Sequence, residues 1–107
     1  MKTRVELGEQ VVRFIAKQAP EQRRALRTAL RGLESEQGDI KPLEGALESY
    51  VRLRVRSFRV IFTYSESKRG ERLIRCVFAE RRGAVYALFQ ETLRAQLLAR
   101  QEGSIGT

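Results

Sequence analysis

A chain of 107 residues with a hydrophobic fraction of 42% can build one modest core but not two, and that fraction beside 32% charged residues excludes a disordered chain. The formal net charge of +8 points to a polyanionic partner: RNA, DNA, a ribosome or an acidic protein. With no histidine and one cysteine, Cys76, there is no zinc site, no Ser-His or Cys-His nucleophile pair and no internal disulfide. Nor is there a glycine-rich phosphate loop, an apolar run of about 18 residues or a secretory leader pattern. The expectation is a cytoplasmic protein, without membrane contact, cofactor or metal, whose chemistry must come from Arg, Lys, Tyr, Glu or Asp.

Residues 2–7 alternate weakly around Val5 and Leu7 and predict a short first strand. Gly8 sits at a helix-cap position, and Val11, Phe14 and Ile15 give the following helix one apolar stripe. Pro20 ends that helix and suits the first turn of the next, where its missing N–H would have no partner anyway. The second helix buries Leu26, Ala29, Leu30 and Leu33, while Arg23, Arg27 and Arg31 line another face at a spacing of four. Such a stripe serves either as a solvated face or to dock on RNA or an acidic partner.

After Gly38 the period changes. Residues 39–49 carry Pro42 and Gly45 and read as a connecting loop. From Tyr50, Val51, Leu53 and Val55 alternate with Arg52, Arg54 and Arg56, the period-two pattern of a half-buried strand. A tight turn at Arg56 and Ser57 leads into a second strand over residues 58–65, and a polar loop with Gly70 leads into a third over 73–79. A C-terminal helix is expected over about 84–100, with Tyr86, Phe89, Leu93 and Leu97 at helical spacing, followed by a flexible tail over 102–107. The fold class is therefore α+β: one domain spanning 1–107, in which an N-terminal strand and a helical hairpin pack on an antiparallel sheet of about four strands. Arg52 and Arg54 cannot share the face that buries Val51 and Leu53, so they point to the side expected to stay open.

The stretch "YVRLRVRSFRVIF" at 50–62 and the later "FAERRGAVY" resemble the RelE/ParE superfamily of bacterial type II toxins. The matching residues are Arg52 and Arg54, then Phe58-Arg59-Val60-Ile61-Phe62, then Arg81 and Arg82 before Val85-Tyr86. The resemblance covers roughly residues 1–90 and implies a RelE-branch toxin: a ribosome-dependent endoribonuclease, or mRNA interferase, that cuts mRNA in the A site and so inhibits translation. There the 2′-hydroxyl of the message attacks the adjacent phosphate, leaving a cyclic phosphate and a free 5′-hydroxyl, with no metal. Arginine suits the phosphorane transition state, because its fork matches phosphate oxygens and stays charged.

The catalytic set implied by the resemblance is Arg52, Arg54, Arg59, Arg81, Arg82 and Tyr86, with Arg23, Arg27, Arg31 and Arg56 expected at the RNA or ribosome surface. Tyr86 matches the family's proton acceptor, and it reads equally well as a core residue packing near Phe89; Glu44 and Glu80 are alternative bases. A free tyrosine has a pKa of about 10, and neighbouring guanidinium groups favour its phenolate. The chain departs from the family pattern in lacking histidine, in carrying arginine where lysines are common on the first basic strand, and in placing Glu80 six residues before Tyr86 where a close pattern has arginine. Arg81, one residue on, would then point the other way unless the strand is irregular. The implied partners are a cognate antitoxin, the ribosome and mRNA. The alternatives are a ParE-type poison of DNA gyrase without nuclease activity, or an inactive homologue that only binds its antitoxin.

Overall fold

A computed structural model describes residues 3–105, with side chains through Gln101. The chain runs β1 (Thr3–Leu7), α1 (Glu9–Ala16), α2 (Pro20–Gly32), β2 (Asp39–Pro42), β3 (Val51–Val55), β4 (Phe58–Glu66), β5 (Arg72–Arg81) and α3 (Val85–Ile105). The strands form one sheet in the order β1-β5-β4-β3-β2, with β1 parallel to β5 and every other pairing antiparallel. Among the described residues no helix is long and apolar enough to cross a membrane.

The expected sheet of about four antiparallel strands is thus a mixed sheet of five. The extra strand is β2, in the segment read from sequence as loop. Of its four residues only Ile40 packs against the core, so it offers too little alternation to be recognised. It lies at the sheet edge, where Pro42 is tolerated because a missing N–H breaks no ladder. Gly38 admits the chain into this strand: its φ is +131°, and a β-carbon there would lie 2.8 Å from Leu53 Cδ1.

The helical hairpin covers one sheet face. Val11, Phe14 and Ile15 of α1 and Leu26 and Leu30 of α2 are buried against Leu53, Val55, Phe58, Val60, Phe62, Ile74, Cys76 and Ala79. Gly8 starts α1 while its N–H donates to Cys76 O at 2.8 Å, which ties the helix entry to β5. Where β1 has ended, the Gln10 side chain continues the ladder: its Nε2 donates to Ala79 O and its Oε1 accepts from Ala79 N, both at 2.8 Å. Burial pushes the Cys76 thiol up to about 12 from an ordinary 9.0. Since the unfolded thiol ionises near pH 9.0 and the folded one resists, this contribution to stability is complete below pH 9.0 and is lost as the pH rises toward about 12. Native protein at pH 8 is accordingly expected to react with a thiol reagent only as fast as it opens; rapid labelling of folded protein would contradict the burial of Cys76.

The second sheet face, expected to stay open, is half covered. Val85 and Phe89 of α3 pack with Leu47, Ile61 and Phe78, and Leu43, Tyr50, Val77, Tyr86 and Leu93 border this smaller core. Tyr50 meets Phe89 edge-on at 4.9 Å between ring centroids. Beyond Leu93 the helix leaves the sheet, with Leu97 and Leu98 56% and 52% exposed. It runs to Ile105 rather than ending near Arg100, so residues 102–105 of the expected tail are helical; residues 106–107 lie outside the described residues.

Between the two cores β5 carries a bulge. Ile61 pairs with Phe78 while Phe62 pairs with Cys76, so Val77 is the extra residue. Before the bulge Ile74 and Cys76 face the helical hairpin; after it, Ala79 does, and Phe78 faces α3.

Candidate functional site

The uncovered half of the second sheet face holds the arginines. In the β3–β4 hairpin, Arg54 is directly opposite Arg59 and Arg52 is opposite Ile61, so all three share the face of the smaller core. Placing like charges directly opposite each other costs stability, which sets the Arg54–Arg59 pair apart from a face built only for solubility. Edge strand β2 brings two more charges to this face: Asp39 opposite Arg54 and Lys41 opposite Arg52. Arg52 Nη1 donates to Asp39 O at 3.1 Å and to Asp39 Oδ1 at 3.2 Å, while Arg54 Nη1 lies 3.9 Å from Oδ2. Arg59 is anchored differently, its Nη1 donating to the carbonyls of Arg56 at 3.1 Å and Phe58 at 2.9 Å. Its guanidinium is held below the usual arginine value, first by burial and then by the charges of Arg54 and Arg52; Tyr86 opposes these and Arg82 adds to them. Arginine stays charged through such a shift.

Tyr86, in the first turn of α3, is half-buried against the smaller core and also lines a groove of about 270 Å3 with Lys41, Pro42, Leu43, Glu44 and Arg52. It therefore does both things the sequence left open: it borders the core, and it faces the basic strands. The neighbouring loop is fixed by Leu43 N donating to Tyr50 O at 3.0 Å.

The remaining sequence candidates go elsewhere. The bulge puts Glu80 opposite Arg59 on the arginine face, whereas Arg81 pairs with Phe58 and lies over its ring, 5.5 Å from the centroid, on the helical-hairpin side. Arg82, in the turn that follows, is the member of the pair that reaches the field around Arg59, and its N–H donates to Ser57 O at 2.8 Å. Glu80 Oε1 folds back to accept from Arg81 N at 3.0 Å. Arg56 has a left-handed φ of 57° in the hairpin turn, and its side chain turns to α2, with Nη1 3.3 Å from Gln22 Oε1 and 4.0 Å from Glu21 Oε1. Arg23, Arg27 and Arg31 belong to the same layer; Arg27 and Arg31 line a shallow pocket with Val5, Leu7, Leu30 and Glu34. The structure thus separates two basic surfaces on opposite sides of the sheet. Asp39 and Lys41 are the site residues that the sequence did not yield, because the strand that carries them was not recognised.

No protein-family model matches the chain, and no curated protein matches it either. Solved structures do. The RelBE2 toxin-antitoxin complex from Mycobacterium tuberculosis contains a chain 17% identical with a TM-score of 0.63, over 77% of this chain and 100% of that one. A YoeB/ParE toxin from Agrobacterium tumefaciens matches at 14% identity and a TM-score of 0.58, over 73% and 97%. An archaeal RelE-RelB complex from Pyrococcus horikoshii matches at 27% identity and a TM-score of 0.57, over 78% and 98%. The chain has the RelE/ParE toxin fold.

On this RelE/ParE sheet the arginines share one face that α3 leaves uncovered. Arg52, Arg54 and Arg59 present fork-shaped donors from adjacent strands, which can engage several oxygens of one phosphate group or of neighbouring phosphates. The RelE/ParE helix α3 closes one side of that face and brings the Tyr86 phenol to it.

Proposed function

We propose that this protein is the toxin of a bacterial type II toxin-antitoxin pair, and that it is a ribosome-dependent endoribonuclease cutting mRNA in the A site. The observation that supports this most is the placement of Arg52, Arg54, Arg59 and Tyr86 about one open face and groove. In the proposed reaction the 2′-oxygen of the message attacks the adjacent phosphorus, the bond from phosphorus to the 5′-oxygen breaks, and a cyclic phosphate and a 5′-hydroxyl result. The three arginines hold the phosphate and take up the charge that develops on its oxygens. Tyr86 is the candidate to receive the 2′-hydroxyl proton. In this reading Arg82 extends the positive field along the RNA, and the arginines of α2, on the opposite layer, meet a second stretch of ribosomal RNA.

The partner that follows from this reading is an antitoxin with an extended acidic segment that covers the arginine face, in keeping with the net charge of +8. A ParE-like reading, in which the protein poisons DNA gyrase, draws on Glu80: a carboxylate rather than an arginine stands opposite Arg59. One experiment separates the two. Purified protein is added to ribosomes programmed with a defined mRNA and to the same mRNA alone, and new 5′ ends are mapped by primer extension. Cuts confined to the A-site codon and dependent on ribosomes support the nuclease; no cut by folded protein in either sample turns attention to gyrase or to antitoxin binding alone. Tyr86→Phe is expected to lower cutting about 100-fold, in the range of a lost general base, with an unchanged melting temperature. Cutting at the wild-type rate would remove Tyr86 from the mechanism.

A further inference from the structure

The proposed cleavage needs a second proton transfer that the arginine face does not supply. When the bond from phosphorus to the 5′-oxygen breaks, that oxygen must acquire a proton or leave as a costly alkoxide. Guanidinium groups clamp phosphate well but, staying charged at any working pH, give up a proton poorly. A lysine ammonium, ordinarily near 10.4, is a far better donor.

The chain has only four lysines, Lys2, Lys17, Lys41 and Lys68, against seventeen arginines. Lys17 caps the C-terminus of α1 and Lys68 lies in the loop after β4. Lys41 is on the arginine face: it pairs with Arg52 across the β2–β3 ladder and lines the 270 Å3 groove together with Arg52, Glu44 and Tyr86. Asp39, two residues away on the same strand, directs its carboxylate to Arg52 and Arg54. The Lys41 side chain makes no hydrogen bond or ion pair among the described residues, so its ammonium is available to a ligand.

We infer that Lys41 is the general acid of the proposed cleavage, donating its ammonium proton to the departing 5′-oxygen. The inference rests on the nuclease reading above. The protons balance: the 2′-hydroxyl gives one to the base at Tyr86, Lys41 gives one to the 5′-oxygen and becomes a neutral amine, and exchange with solvent restores both groups. The groove places donor and acceptor at one site, with the phosphate held by the arginines beside them.

The test uses a leaving group that needs no proton. Once the cut position has been mapped, two messages are loaded on ribosomes: ordinary RNA, and RNA in which sulfur replaces the bridging 5′-oxygen at that position. Wild-type protein, Lys41→Ala and Lys41→Arg are compared in single-turnover cleavage. On ordinary RNA both variants are expected to fall about 100-fold, because the arginine variant keeps the charge but loses the donor. On the sulfur-bridged RNA both are expected to return to within a few-fold of wild type, since a thiolate leaves unprotonated. Equal losses on the two messages, or recovery of full activity by Lys41→Arg on ordinary RNA, would make Lys41 a charge contact and overturn the inference. If wild-type protein cuts neither message, the nuclease reading itself falls, an outcome seen without any variant.

Discussion

Arg59→Ala is expected to lower ribosome-dependent cleavage by about 100- to 1,000-fold, the range found when one preorganised donor to a developing oxyanion is removed. Arg59 is anchored differently from the other two sheet arginines, by backbone carbonyls rather than by Asp39. Two backbone carbonyls hold its Nη1, and Arg54 and Arg52 stand close enough to depress its proton affinity after burial has done so. Stability should move little, because the same substitution removes the repulsion between Arg54 and Arg59 across the β3–β4 ladder. Single-turnover cleavage and a thermal melt on the same sample check both halves. A folded Arg59→Ala protein that cuts within a few-fold of wild type would take Arg59 out of the phosphate clamp, and a melting point lowered by ten degrees or more would show that the arginine is chiefly structural.

The largest effect on stability is expected at Phe62. It is fully buried in the core beneath the helical hairpin and meets Tyr64 edge-on at 5.4 Å between ring centroids. Phe62→Ala removes most of an aromatic side chain from a site closed on every side, which costs about 3–5 kcal/mol. A domain of this size typically has only about 5–15 kcal/mol in total. Urea denaturation is expected to show a midpoint reduced by about a fifth or more with an unchanged slope. Leu97→Ala is the internal control: at 56% exposure its loss should be nearly silent in an isolated protein. A shift at Phe62 below about 1 kcal/mol would contradict the burial described for β4.

The sequence disclosed those parts of the fold where local pattern and tertiary role coincide. Val51, Leu53 and Val55 alternate with arginines because one face of β3 is packed and the other wet, and the turn at Arg56 and Ser57 is short enough to force the hairpin. The identity of the covering elements was harder to read. Phe89 and Leu93 show the apolar stripe of α3, but a stripe does not say which sheet face receives it, and here it covers half of the face expected to be open. Strand β2 left almost no signal, since a four-residue edge strand needs only Ile40 inside and can keep its proline. Lys41 and Asp39 were lost from view with it. The direction of Arg81 was beyond reach for another reason: no glycine or proline marks the bulge at Val77, so the alternation along β5 cannot be counted through it from sequence.

That bulge makes the charge opposite Arg59 a matter of counting backbone residues. With Val77 bulged out of the ladder, Glu80 faces the arginines and Arg81 faces away. Absorbing Val77 into a regular ladder would pair Ile61 with Val77 and exchange the two faces from there on, turning Arg81 toward the arginines and Glu80 away with no change in sequence. Two members of this fold with the same Glu-Arg-Arg run could therefore present opposite charges to the arginine face solely because one bulges its fifth strand and the other does not.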